Sequence, residues 1–570
     1  MSVKKLVFGK PEKIKPSRYC KKFNYCEGEI SYNLSEIKFS MTKRGCVLEF
    51  PFKGDEHIYG LGLQLKQFDF KGKHAKLKVN CDPVAPTGDS HAPVPFFVST
   101  SGYGIYFDTA RYVEFDFGRR KKYASNVVNS DTGIKLNTKD LYSVHNTDDS
   151  IITACIPVAK GIELYIFEGN TITDIISEYN RLSGGGCDVP EWGFGLYYRC
   201  CATYNQNQVN YAVSYFKEKK IPCSVIGIEP GWQTKSYPCS YEWNTALFPN
   251  PKKMIDNIYQ QGCHINLWEH AFVNRKSSIY DKLKNYSGNY TVWDGLVPDF
   301  TIKKAREIFS EQHNENVDFG IIDGYKLDEC DNGDYTGGWS FPDCSLFPSG
   351  ADGEQYHSLF GTLYMQTVLQ TLKGRATYSE VRNAGALCSS YPFVLYSDLY
   401  NHEDFIRGVV SSGFSGLLWT PEVRHADSKE EFVRRLQTAV FSAQCLINGW
   451  YCEEFPWLNF DCENELRRWV NEREKLKPYL KKAFEEYKCI GKPPIRALVC
   501  DYTTDENTYG IDDEYIFCDE FIVAPIKAGE ESRKVYLPEG KWVNYFSGKA
   551  EFSGWFEVKT EDIPVYRKLK

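Results

Sequence analysis

The 570-residue chain carries 20 cysteines, and no two of them have the CxxC spacing on which zinc sites are commonly built. Their scatter, with Cys200 and Cys201 in tandem, suits reduced and mostly buried thiols better than a disulfide framework. Positive charge is also in short supply. The 75 acidic residues outnumber the 68 basic ones, a net charge of −7, which offers no field for nucleic acid or for an anionic membrane. No uninterrupted apolar run could span a bilayer, and the N-terminal stretch from Met1 to Lys10 has charges but no apolar h-region. These features predict a cytoplasmic protein with no nucleic-acid or membrane partner. Repeats and low-complexity tracts do not stand out. A glycine-rich phosphate loop is missing too, which argues against phosphorylated substrates.

What is present describes an ordinary globular chain of two to four domains, 42% hydrophobic and 25% charged. Aromatic residues make up 15%; their faces can line sugar sites, but filling large cores is their commoner use. Up to Gly184-Gly185-Gly186 the pattern is short alternating runs broken by Gly, Asn and Asp, with a helical period only over 172–182. This predicts an antiparallel β-sandwich over 1–186. Strand patterns then alternate with amphipathic helices, at 192–200, 223–230, 263–272, 325–330, 376–382, 393–398, 416–423 and 446–451. Eight strands with interposed helices predict a (β/α)8 TIM barrel over 187–488. After a charged helix from about Glu463 to Tyr487, β-texture returns, clearest at 517–526 and 535–538, and predicts a small C-terminal β-domain over 489–570.

Catalytic groups in such barrels gather at the C-terminal ends of the strands. Here those ends read Arg199, Glu229, Glu269 with His270, Asp328, Glu380 with Arg382, Asp398, Glu422 and Trp450. The stretch Gly324-Tyr325-Lys326-Leu327-Asp328 organises the rest, because as a strand it points Lys326 and Asp328 to one side. Only His270 is prominent among metal-binding types, so no metal and no cofactor are expected. Two carboxylates on different strands, amid aromatics, suit glycoside chemistry, in which one acid attacks the anomeric carbon and the other serves as acid and then base.

Several motifs in family order now add to that reading. They are His57-Ile58-Tyr59-Gly60-Leu61-Gly62, Pro190-Glu191-Trp192-Gly193-Phe194-Gly195, Phe248-Pro249-Asn250-Pro251-Lys252-Lys253-Met254, Phe521-Ile522-Val523-Ala524-Pro525-Ile526 and Val535-Tyr536-Leu537-Pro538. Over nearly its whole length the chain resembles glycoside hydrolase family 31, the retaining α-glycosidases. The resemblance implies that Asp328 is the nucleophile, Asp398 the general acid/base and Arg382 the arginine of the pocket. Residues read alone leave Asp398 open to a second use, as the cap of a helix begun by Asn401-His402-Glu403. Many family members continue past the region of Ile563 to Tyr566 into a further β-domain, which is expected to be absent.

Departures from the family pattern fall on the pocket walls. The second strand ends Glu229-Pro230-Gly231-Trp232-Gln233, the nucleophile is followed by Glu329-Cys330-Asp331, and the seventh strand reads Trp419-Thr420-Pro421-Glu422-Val423-Arg424-His425. Glu229, Trp232, Trp268, His270, Lys326, Arg382, Trp419 and Glu422 are the candidate sugar-binding residues. For the three tryptophans the competing use is core packing, and for the glutamates a rim ion pair. The expected activity is a retaining exo-α-glycosidase on a small oligosaccharide or α-glycoside, with α-galactoside ahead of α-glucoside. Transfer to another sugar, a catalytically silent carbohydrate-binding protein, and a Schiff-base aldolase using Lys326 are the alternatives, and a homo-oligomer is left open.

Overall fold

The structure is a computed structural model and describes residues 3–81, 83–121, 150–333, 335–398 and 401–569. Its N-terminal part is two facing five-stranded sheets in which every pairing is antiparallel. One sheet runs in the order Val3–Gly9, Gly161–Glu168, Tyr103–Phe107, Pro93–Ser99, Ile58–Gly62; the other holds Lys38–Met41, Gly45–Phe52, Ser150–Pro157, Val113–Lys121 and His74–Leu77. Alternation in Gly45–Phe52 sends Cys46, Leu48 and Phe50 inward, where they meet Phe97, Phe107 and Phe115. The helix Ile172–Leu182 follows. Thr171 and Asp174 close a capping box at its start, and Ile172, Ile175, Ile176 and Tyr179 are buried.

The central part is the barrel. Parallel strands Leu196–Arg199, Val225–Ile228, His264–His270, Gly324–Asp328, Ser379–Val381 and Phe393–Leu395 lie side by side, and the last strand, Cys445–Asn448, pairs back onto the first. Position seven forms no regular ladder. Two parallel bridges, Leu395 to Trp419 and Val423 to Ile447, close the ring there instead. Pro421 explains the gap, since it has no N–H to give while Thr420 and Val423 on either side bond to Leu395 and Leu446.

After the third strand an antiparallel hairpin, Ser287–Val292 with Gly295–Pro298, stands over the C-terminal end of the barrel. The helix Glu463–Ile490 leads to the C-terminal sheet. There the single strand expected at 517–526 is two, Tyr515–Phe517 and Phe521–Val523, paired antiparallel about a turn with Cys518 and Asp519 in the left-handed region. The 20 cysteines are unpaired. Among the described residues no helix is long and apolar enough to cross a membrane.

Candidate functional site

Gly324–Asp328 is buried along its whole length, as a strand covered on both faces must be. It ends sharply because Glu329 takes φ +57, a left-handed turn that aims the chain away from the ladder. Asp328 therefore sits at the strand's C-terminal end with only 10% of its side chain exposed. Its Oδ2 accepts the indole N–H of Trp268 at 2.7 Å, and its Oδ1 accepts the backbone N–H of Glu329 at 2.8 Å. Burial pushes its carboxyl above the ordinary carboxylate range, with Arg382 opposing and Asp398 adding to the shift.

Asp398 lies beyond the sixth strand, with half of its side chain open to solvent. Arg382 Nη1 holds one carboxylate oxygen and Arg424 Nη1 the other, the latter at 3.2 Å. The same Arg382 guanidinium is 3.9 Å from Asp328 through Nε. One planar cation thus contacts both acids. Although burial opposes it, the charges of Arg382, Lys326 and Arg424 hold the Asp398 carboxyl well below its ordinary value. In the resting site Asp398 is therefore the stronger acid and Asp328 the weaker. To serve as an acid, Asp398 must therefore both take up a proton and release an arginine when substrate enters.

Beneath the two acids is a buried charge network. Glu229 accepts from Arg199 and meets Lys326 Nζ at 3.2 Å, and Lys326 lies over the Tyr396 ring at 4.8 Å. Arg199 and Asn266 also reach Glu380, whose carboxyl burial pushes up to about 7. Lys326 and Asp328 share a face of their strand, as their spacing predicts. With its ammonium engaged by Glu229, Lys326 is an ion-pair member and not the free amine an aldolase requires.

The other candidates separate. Trp268 touches Asp328 directly. Trp232 does not reach the site: it is fully buried, gives its N–H to the Trp268 carbonyl at 2.7 Å and packs on Trp243. Trp419 is likewise core, its N–H on the Phe405 carbonyl at 3.2 Å. Both indoles are corrected from sugar contacts to packing. His270 is buried with Nδ1 accepting the Phe272 N–H at 3.1 Å, and burial lowers it to about 3, so it stays neutral. Glu422 is fully buried and tied to Asn448 at 3.1 Å and Arg424 at 3.2 Å; it steadies the arginine on Asp398 and offers no free face to a sugar.

Several neighbours were not among the candidates, although Asp331 stands in the stretch read as a pocket wall. Asp331 accepts from Arg382 Nε at 3.0 Å and pairs with His91 Nδ1 at 2.6 Å, and His91 Nε2 meets Ser397 Oγ at 2.6 Å. One sandwich histidine thus ties down the segments that carry both acids. Tyr396 is buried among Asp328, Asp398 and Glu229, and its hydroxyl has no partner among the described residues. A cavity of about 630 Å³ opens at the opposite end of the barrel near Pro190, Arg375 and Pro392, but its lining holds a single acid, Asp188. Convergent chemistry, and not volume, locates the site. Among the described residues no group of three or more His, Cys, Asp or Glu is arranged to hold a metal.

The arrangement can perform a double displacement: one buried carboxylate held by an N–H donor, one carboxylate at the open side, and a guanidinium between them. An α-xylosidase of Emericella nidulans is 22% identical over 92% of this chain and 67% of its own length. An α-glucosidase of Saccharolobus solfataricus is 25% identical over 95% of this chain and 83% of its own length. The cycloalternan-forming enzyme from Listeria monocytogenes, solved with a pentasaccharide substrate, superposes with a TM-score of 0.77 at 21% identity, covering 92% of this chain and 53% of that one. This chain therefore spans about half to two thirds of the length of two of these three proteins. Family profiles match 32–116 as the galactose mutarotase-like N-terminal domain, 187–483 as the TIM-barrel domain and 491–569 as the C-terminal domain. The barrel match alone covers more than half of the sequence, and the chain belongs to glycoside hydrolase family 31.

Proposed function

We propose that the protein is a retaining exo-α-glycosidase. Asp328 attacks the anomeric carbon to give a β-glycosyl ester while Asp398 protonates the departing oxygen. Asp398 then takes a proton from water, which displaces Asp328 and returns the α-anomer. The observation that carries this reading is the single guanidinium of Arg382 bridging two carboxylates from the fourth and sixth strand ends. No step requires a cofactor. The galactoside expected from the sequence finds no support in the relatives named above, an α-xylosidase and an α-glucosidase, and the reading adopted is an α-xyloside or α-glucoside. A reducing compartment is part of the same proposal, supported by the unpaired thiols. Transfer to a sugar instead of water is the second reading, favoured by the half-exposed ring of Tyr237, which packs on Trp268, the indole that donates to Asp328.

Nitrophenyl α-xyloside, α-glucoside and α-galactoside, assayed together with azide, test both chemistry and substrate. Asp328→Ala and Asp398→Ala are each expected to lose about 10²–10⁴-fold or more in turnover. Azide should rescue Asp398→Ala as the α-glycosyl azide and Asp328→Ala as the β-azide. Rescue with the opposite stereochemistry would reverse the two roles, and turnover of the galactoside alone would restore the first substrate expectation.

A further inference from the structure

At the end of the barrel opposite the two acids, a pair of thiols that the double displacement does not use shares one surface cavity. Cys223 precedes the second strand and Cys263 the third, and those strands are neighbours, with Val225 paired to His264. The His264 N–H bonds the Ser224 carbonyl at 2.8 Å, which brings the two cysteines within a residue of direct opposition. Cys263 donates its thiol hydrogen to the Cys223 carbonyl at 3.2 Å. A cavity of about 310 Å³ opens onto both side chains, although Cys263 is only 4% exposed. Cysteines that only fill a core, such as Cys200, Cys445 and Cys500, are fully covered.

The walls of this cavity carry charge of one sign. The helix Gln206–Glu218 contributes Lys217, and Lys220 follows it in the left-handed region at φ +54. No carboxylate lines the space, whose remaining wall includes Val213, Phe216, Ile221 and Pro222. A thiolate formed here would face two ammonium groups and no anion. A hydrogen bond from Cys223 holds the Cys263 thiol below its ordinary value, against burial and with help from the charge of Lys217. Burial, and then the neighbouring sulfur, pushes Cys223 well up. Cys263 is therefore the one that ionises first, while Cys223 keeps its proton.

We propose that Cys223 and Cys263 are a peroxide-oxidisable dithiol, with Cys263 the attacking sulfur and Cys223 the resolving one. The Cys263 thiolate attacks one oxygen of a hydroperoxide. The O–O bond breaks, the sulfur is oxidised by two electrons to a sulfenic acid, and the other oxygen leaves with the proton that Cys263 released, as water or an alcohol. The Cys223 sulfur then attacks the sulfenic sulfur. An S–S bond forms, the S–O bond breaks, and the hydroxide departs with the Cys223 proton as water. Neighbouring strands lie about 4.8 Å apart, inside the roughly 4.4–6.8 Å between α-carbons that a disulfide spans. The product would staple the second and third strands at their N-terminal ends, and a dithiol reductant would reopen it.

The test treats the reduced, intact chain with stoichiometric hydrogen peroxide, blocks remaining thiols with iodoacetamide and reads unreduced peptides by mass spectrometry. The peptides of Cys223 and Cys263 should appear joined and two hydrogens lighter, and should separate with dithiothreitol. Loss of free Cys263 should outpace that of the exposed Cys26, Cys344 and Cys489 by about tenfold or more. Cys223→Ser should stop at the sulfenic acid, which dimedone traps on Cys263, and Cys263→Ser should slow oxidation of Cys223 to the rate of the exposed thiols. The melting temperature of wild type should rise on oxidation and return on reduction, a shift absent from Cys223→Ser. Oxidation of the exposed thiols ahead of Cys263 would overturn the proposal. So would a disulfide from Cys263 to any other cysteine, or dimedone trapped on Cys223 in Cys263→Ser at the wild-type rate. Should either variant fail to fold, the joined peptide and the relative rates in wild type decide alone.

Discussion

At the scale of single residues the site is governed by how many acids share few cations. Asp328, Asp331 and Asp398 all draw on Arg382, and Glu329 adds a further carboxyl at the same turn. Burial and then the charge of Asp328 push Glu329 up to about 8, against Arg382 and a hydrogen bond from Asn332. Between pH values of about 4.5 and 8 the folded chain keeps a proton here that the unfolded chain has released. Stability must then fall as pH rises through that interval. Glu329→Gln removes the titration and mimics the protonated form. Its melting temperature relative to wild type should rise from pH 5 to pH 8.5, measured by thermal scans at both values. A difference that is constant or shrinks with pH would show that Glu329 is not held protonated by the fold.

At the scale of elements, what was legible in the sequence followed from periodicity, and what was not followed from distance or from missing signals. The helix Ile172–Leu182 is readable because its apolar residues recur on one face behind a Thr–Asp box. The C-terminal hairpin is not, because its turn uses Cys518 and Asp519 where a glycine would have announced it. Trp232 and Trp419 are misread because an indole near a strand end carries no mark of which way it faces. Asp328, Lys326 and Arg382 are placed at the site by strand register. His91 and Asp331 could not be paired from the chain, as 240 positions separate them. Yet His91, fully buried, joins the segment after the fourth strand to the residue before Asp398. His91→Ala removes one hydrogen bond from Asp331, which keeps that from Arg382, and one from Ser397, a loss of about 1–3 kcal/mol. The displaced acids should lower kcat by up to about 10²-fold. His91→Gln, which can still hydrogen-bond, should recover part of kcat, whereas a purely structural histidine would give variants whose activity follows their melting temperature alone.

At the scale of the whole molecule the three β-rich parts are not beads on a string. One apolar cluster runs without a break from Tyr59, Phe96 and Tyr106 of the sandwich, through the barrel core, to Tyr515, Phe521 and Val565 of the C-terminal sheet. Polar links cross the same seams. The Ile172 N–H bonds Thr503 Oγ1 at 3.0 Å, Thr173 bonds Asp501, and the Tyr515 hydroxyl bonds the Phe441 carbonyl at 2.9 Å. Arg473, fully buried on the long helix, donates to the carbonyls of Phe194, Val440, Ser442 and Ala443 and so clasps the first barrel strand to the last. Cutting at the domain boundaries would strip cover from the barrel's apolar exterior and leave carbonyl and hydroxyl partners unpaired. The intact chain should therefore melt in one calorimetric transition whose calorimetric and van't Hoff enthalpies agree. A fragment of residues 187–488 should fail to show a cooperative melt and should bind a hydrophobic dye. Two resolved transitions in the whole chain, or a soluble fragment melting cooperatively, would mean that the flanking sheets decorate the barrel. In that case His91 could be detached from Asp331 without unfolding the barrel, and the sandwich's hold on the two acids would be a separable adjustment of the site instead of a condition for its existence.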